Sequence, residues 1–204
     1  MPAKNAAAKW DRVLLVDNGS LRPEATLNLR RLAAELSAMV GREVEPVSLL
    51  HAYKIPADEL GGTPATSLAG YTKRLLAAGT ATRFLVLPLF FGPSRALTDY
   101  APRRMGELQA EFPQLEFAIA PTLVKPDDSG APELAGLLAD AIVEKAEAAG
   151  LEDASVVMVD HGTPEPTVNA VRRLIAGELR MRLAARGAVR VAAFTDASME
   201  RRPE

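Results

Sequence analysis

The sequence predicts an α/β protein with a doubly wound parallel sheet. Short apolar runs recur along the 204 residues, and each is followed by a turn signal and a longer stretch with helical spacing. Strict alternation of strands and helices implies right-handed crossovers and parallel strands. The all-helical alternative would require the short valine-rich runs to be helices, and helices of that length are marginal.

The predicted elements follow in chain order. Residues 13–16 form a strand, because both of its faces are apolar as in a buried parallel sheet. Pro23 then opens a helix that ends at Gly41. A strand follows at 44–50, and Thr63 and Pro64 predict the start of a helix over 63–78. The remaining strands are predicted at 84–91, 115–120, 156–160 and 189–194, with helices at about 97–112, 132–149 and 167–186.

An internal repeat divides the chain. Residues 13–20 (VLLVDNGS) match residues 156–163 (VVMVDHGT), and a Pro-Glu-x-Thr-x-Asn pattern follows both copies. The first copy has room for four strands and the second for only two. We therefore predict a flavodoxin-like lobe over residues 11–149, repeated as the incomplete start of a second lobe over residues 152–204.

The composition excludes several classes of function. Lys plus Arg number 24 and Asp plus Glu number 26, a net charge of −2, which argues against binding to nucleic acid or to an anionic membrane. The absence of cysteine excludes disulfides, thiolate metal sites, iron–sulfur clusters and cysteine nucleophiles in this chain. No apolar run reaches the ~20 residues that span a bilayer, and no secretory signal opens the chain. We expect a cytoplasmic protein.

The candidate chemistry lies in the loops that follow the strands, because ligands of open parallel sheets bind beyond the carboxyl ends. Both histidines of the chain, His51 and His161, fall in such loops. Each is a candidate metal ligand, and the alternatives are a surface loop residue or a local helix cap. Gly19 could admit a ligand to the backbone or simply turn the chain. The dinucleotide, P-loop and nucleophile-elbow motifs are all missing from these loops.

Three stretches resemble one family. The two copies of the repeat and the run Leu-Pro-Leu-Phe within residues 85–92 are similar to the sirohydrochlorin chelatases of the CbiX-like, class II tetrapyrrole chelatase group. The resemblance covers most of residues 12–204. It implies a lyase that inserts cobalt or ferrous iron into a sirohydrochlorin-type macrocycle between two lobes, with the metal as substrate and without an organic cofactor. A homodimer or a missing C-terminal lobe would complete the cleft.

The chain departs from the family in its first copy. Asn18 stands where the family has a histidine, and no histidine follows the Leu-Pro-Leu-Phe run. The first lobe is therefore degenerate on this interpretation. His161 keeps the family motif, and neutral imidazole suits cobalt and iron.

The resemblance assigns roles to the remaining candidates. His161 and Glu200 are the predicted catalytic residues, with Glu200 as the base that accepts pyrrole protons. His161 and His51 are the predicted metal ligands. The predicted substrate-binding residues, which would hold the carboxylates of the macrocycle, are Asn18, Ser20, Ser94, Arg95 and Thr163. For Arg95 and Glu200, solvated surface charge is the alternative.

Two other functions stay open at this point. One is a non-catalytic tetrapyrrole- or metal-binding module, which Asn18 and the missing second histidine favour. The other is a small-molecule-binding α/β domain unrelated to tetrapyrroles. The sequence does not choose the metal, because imidazole and carboxylate ligands accept cobalt, nickel and iron alike.

Overall fold

The structure is a computed structural model that describes residues 9–125, 131–151, 153–160, 166–186 and 190–198. The chain divides into two compact units. Unit 1 comprises Met1–Phe90 and Arg95–Thr122, and unit 2 comprises Phe91–Ser94 and Leu123–Glu204.

Unit 1 is a parallel sheet with helices on both faces. Its four strands lie in the order β2-β1-β3-β4, and all three pairings are parallel. The elements in chain order are β1 (Arg12–Asp17), α1 (Pro23–Val40), β2 (Val44–Ser48), α2 (Leu68–Ala77), β3 (Arg83–Pro88), α3 (Ala101–Glu111) and β4 (Glu116–Ile119).

The core of unit 1 lies on both faces of strand β1. Leu14 and Val16 are fully buried on one face, where they join a cluster that includes Phe84 of strand β3. Val13 and Leu15 are buried on the other face, against Leu29 of helix α1 and its neighbours. Alternate residues of a strand point to opposite faces, so a strand that is apolar throughout requires cover on both. The predicted doubly wound sheet is confirmed.

Helix α2 begins later than the sequence predicts. The expected start at Thr63 is wrong, because the helix begins at Leu68 and Ser67 is its N-cap, whose hydroxyl accepts the Gly70 N–H at 3.1 Å. The backbone N–H of Ser48 donates to the Thr66 carbonyl at 3.1 Å. This contact draws the segment before Ser67 alongside the edge strand β2 and so keeps it out of the helix.

In the described residues, unit 2 contains two helices and a two-stranded parallel sheet. Its elements are α4 (Ala131–Ala148), β5 (Asp153–Asp160), α5 (Pro166–Arg186) and β6 (Arg190–Ser198). Small residues of α4, Ala135 and Ala139, are fully buried against Leu179 and Leu183 of α5.

The division between the units differs from the predicted boundary at residues 149–152. The first unit ends at Thr122, so helix α4, which the sequence analysis assigned to the first lobe, lies in unit 2. The physical reason is the alanine face of α4, which allows close approach to helix α5 of the same unit. The two-lobe repeat itself stays a prediction.

Candidate functional site

The carboxyl ends of strands β1 and β2 are joined beyond the sheet. The Leu49 N–H donates to the Asp17 carbonyl at 2.9 Å, and the Leu50 N–H donates to the Asn18 carbonyl at 3.1 Å. The parallel pairing of the two strands thus continues into their loops. As a result, Asn18 and His51, two of the predicted site residues, lie in neighbouring loops at this edge, and both are exposed.

Gly19 makes the close approach of these loops achievable. Its φ of +86° lies in the left-handed region, and a Cβ atom there would sit 1.7 Å from the Leu50 carbonyl oxygen. The backbone that approaches Gly19 is therefore that of the neighbouring loop. Of the two interpretations from the sequence, the structure supports a glycine that shapes the chain.

His51 has a strained backbone. Its φ of 61° and ψ of −45° make it the one non-glycine residue with positive φ among the described residues. The Ala52 N–H donates to the Leu50 carbonyl at 2.7 Å, which closes a three-residue γ-turn centred on His51. Conformations of this kind cost ~1–3 kcal/mol and cluster at functional sites.

Asp17 is a half-buried carboxylate at the same edge. Its Oδ1 atom is shielded from solvent and has no hydrogen-bond partner among the described residues. Burial raises the pKa of this carboxyl, and hydrogen bonds from the Ser48 side chain and the Gly19 N–H oppose the rise. The sequence analysis did not include Asp17 in the site. The Asp that recurs in the second copy of the repeat, Asp160, was the available signal.

Three further predicted residues fall in the described part of the chain. The Ser20 hydroxyl accepts the Arg22 N–H at 3.0 Å and so shapes the turn that leads into helix α1. Ser94, in unit 2, has a buried hydroxyl oxygen, and Arg95, in unit 1, is exposed. Arg95 immediately precedes a π-helical turn, Ala96–Tyr100, and such turns occur frequently at functional sites.

His161, Thr163 and Glu200 lie outside the described residues, so the catalytic assignments of the sequence analysis stay predictions. Among the residues that are described, no group of three or more His, Asp or Glu side chains is arranged to hold a metal ion. His51 therefore belongs to no such group in that part of the chain. None of the described helices combines the length and apolar character that a membrane span requires.

Comparison with known proteins identifies a structural likeness. No family profile and no curated protein sequence matches the chain. The structure resembles SirB from Bacillus subtilis, solved with Fe3+, with a TM-score of 0.63 and 16% sequence identity. The match covers 93% of this chain, which spans only 65% of the length of SirB.

A second solved structure is more distant. The cobalamin (vitamin B12) biosynthesis CbiX protein from Marinobacter aquaeolei VT8 matches with a TM-score of 0.48 and 21% identity, over 67% of this chain and 98% of that one. A TM-score below 0.5 does not establish a shared fold. The likeness to SirB shows the fold, and the chain has a chelatase-like α/β fold with a parallel sheet.

Proposed function

We propose that this protein inserts a divalent metal ion, cobalt or ferrous iron, into a sirohydrochlorin-type tetrapyrrole. The observation that carries the proposal is the edge of the sheet at which the loops of β1 and β2 are joined. That edge holds the strained His51 and the half-buried Asp17, whose Oδ1 atom is shielded from solvent, in a fold like that of SirB, a protein solved with Fe3+. Ligands of parallel sheets bind at this edge, and strain of this kind is typical of functional sites.

The chemistry of metal insertion fits the candidate residues. Two nitrogen–metal bonds form where two pyrrole N–H bonds break, so one divalent ion displaces two protons. Imidazole is a suitable ligand for the incoming cobalt or iron while its waters are lost, which is the role proposed for His161 and His51. Glu200 is proposed to accept the two pyrrole protons in turn and to pass each of them to solvent water.

Polar residues of the loops that follow the strands suit the carboxylates of the macrocycle. Asn18 is exposed beside His51, and its amide can donate to a carboxylate. Arg95 is also exposed and offers a bidentate fork. Ser20, Ser94 and Thr163 supply hydroxyl groups, so we assign these five residues to binding of the substrate.

A second function is favoured by one specific observation. Asn18 replaces a histidine of the family motif, and a neutral carboxamide is a poor ligand for a transition metal. A module that binds a tetrapyrrole or a metal without catalysis would tolerate this change. The small-molecule-binding domain unrelated to tetrapyrroles predicts that neither ligand binds.

The test is a metallation assay that follows absorbance when the protein is mixed with sirohydrochlorin and Co2+ or Fe2+. We expect His161→Ala to abolish metal insertion, His51→Ala to slow it, and Asn18→Ala mainly to weaken binding of the tetrapyrrole. Glu35→Ala is the matched control, because its carboxylate forms an exposed ion pair on helix α1 and lies outside the proposed site. Full activity in His161→Ala would reject that assignment, and tetrapyrrole binding without faster metallation would favour the second function.

A further inference from the structure

A groove on the outer side of unit 1 lies between helices α1 and α2, at the edge of strand β2. It has a volume of about 260 Å³, close to the lower end of ~300 Å³ for small-molecule sites. Its lining includes Thr26 and Leu29 of α1, Glu45 of β2 and Tyr71 of α2. Asn18, Ser20 and His51 are not among its lining residues, so the groove is separate from the site proposed for metal insertion.

The groove exists because strand β2 is only partly covered. The segment before helix α2 runs beside the end of β2, where the Ser48 N–H donates to Thr66. Farther back along the strand, Glu45 and Pro46 line the open space. Proline has no backbone N–H, so Pro46 leaves no unsatisfied hydrogen-bond donor at this open edge of the sheet.

Two arginines give the groove a surplus of positive charge. Arg30 donates to the carbonyls of Leu60 and Thr63 at 2.8 and 2.6 Å, which holds the loop wall in place without neutralising the guanidinium. Arg74 is exposed, and its guanidinium carbon lies 5.2 Å from the centre of the Tyr71 ring. Within the described residues, neither arginine forms an ion pair with a carboxylate.

The single carboxylate in the lining does not cancel this surplus. Glu45 is the one carboxylate of this lining against two arginines, and burial and the neighbouring Glu45 both raise the pKa of the Tyr71 hydroxyl. Tyr71 is itself buried, at 7% exposure. The ring of Tyr71 therefore serves as a fixed platform for Arg74. The remaining lining is largely apolar, from Leu29, Pro46, Val47, Pro64 and Ala65.

We propose that this groove binds a small organic monocarboxylate. The carboxylate would pair with the Arg74 fork, and its carbon skeleton would lie against the apolar wall. One net positive charge in the lining matches a monoanion, and Glu45 would repel a more highly charged group such as phosphate.

The test is a titration of the intact chain with benzoate, followed by two-dimensional NMR. We expect saturable shifts at groove residues and binding at least about tenfold weaker for benzamide, its neutral isostere. Inorganic phosphate should bind more weakly than benzoate. Equal affinity for benzoate and benzamide, stronger binding of phosphate, or no saturable binding of benzoate at millimolar concentration would overturn the proposal.

Two matched variants locate the binding. Arg74→Ala should weaken benzoate binding about tenfold or more without loss of the folded state, because the side chain is exposed. Arg103→Ala is the control, since Arg103 also lies over a tyrosine, 5.7 Å from the Tyr100 ring, but outside the groove. An equal loss in both variants would overturn the assignment to this groove.

Discussion

An aspartate stands at each end of strand β1, and the two carboxylates meet opposite surroundings. Asp11 immediately precedes the strand, and its Oδ2 atom accepts the N–H groups of Thr82 and Arg83, each at 3.0 Å. Its Oδ1 atom accepts from the Arg83 guanidinium at 2.7 Å. Asp17, at the far end, is half-buried, and its Oδ1 atom is shielded from solvent and unpaired among the described residues.

The pKa values of the two carboxyls are shifted in opposite directions, in keeping with these surroundings. Hydrogen bonding with Arg83 holds the pKa of Asp11 well below its usual range, whereas burial raises the pKa of Asp17. At the amino edge, both oxygens of the Asp11 carboxylate thus have hydrogen-bond partners. The carboxyl edge keeps several costly features together: a carboxylate oxygen that is buried without a partner among the described residues, a left-handed glycine and a strained histidine. Such costs are typical of functional sites and are compensated elsewhere in the fold.

The largest effect is expected from a side chain that blocks the close approach of the β1 and β2 loops. Gly19→Ala should lower the free energy of unfolding by about 3 kcal/mol, because the new Cβ atom would meet the Leu50 carbonyl oxygen and φ is positive. Gly41→Ala is the control, since Gly41 also has positive φ but has open space at its Cβ position. We expect it to cost about 1 kcal/mol. Urea unfolding measures both, and equal losses would contradict the close approach.

A smaller loss is expected at the amino edge. Asp11→Asn should lower the free energy of unfolding by about 1–2 kcal/mol at pH 7, because charge-assisted hydrogen bonds to a partly exposed carboxylate are lost. A depressed pKa stabilises the folded state above the unfolded value of ~3.9, and this stabilisation is lost as the pH falls through the folded value. The difference from the wild type should therefore shrink between about pH 5 and pH 2. A difference independent of pH would contradict the ion pair.

Relief of the backbone strain at His51 should stabilise the folded state. His51→Gly should raise the free energy of unfolding by about 1 kcal/mol relative to His51→Ala, because only glycine adopts positive φ without a penalty. Thermal or urea unfolding of the two variants measures the difference. Equal stability would show that His51 stores no strain.

The smallest effect is expected at Asp17. Asp17→Asn should leave the stability at pH 7 unchanged or slightly raised, in contrast to Asp11→Asn. A raised pKa means that the group contributes stability below its unfolded value, and that this contribution is lost as the pH rises through the folded value. The wild type should therefore lose stability relative to Asp17→Asn as the pH rises above the unfolded value of ~3.9 and through the folded value. A clear loss in Asp17→Asn at pH 7 would show that the ionised carboxylate stabilises this edge.

The sequence predicts the sheet more completely than the site. Short apolar runs that are followed by a turn signal predict buried parallel strands, because such strands need apolar cover on both faces. The sequence predicts the start of helix α2 less well. Thr63 and Ser67 are both acceptable caps, and a long-range bond between Ser48 and Thr66 decides between them.

The features of the site depend on contacts between loops that are distant in sequence. The strain at His51 and the burial of Asp17 follow from the pairing of residues 17–18 with residues 49–50. No local pattern encodes that pairing. The sequence nevertheless indicated that the loops after β1 and β2 lie together, because the carboxyl ends of parallel strands meet at one edge.

We propose that the carboxyl edge of the sheet takes part in metal insertion, whereas the amino edge stabilises the fold. The most direct measurement compares His51→Gly and Asp11→Asn in the metallation assay and in urea unfolding, at a temperature where both are folded. We predict that His51→Gly slows metal insertion without losing stability, and that Asp11→Asn loses stability yet metallates at the rate of the wild type. Full metallation by His51→Gly together with slow metallation by Asp11→Asn would contradict this division of roles between the two edges of the sheet.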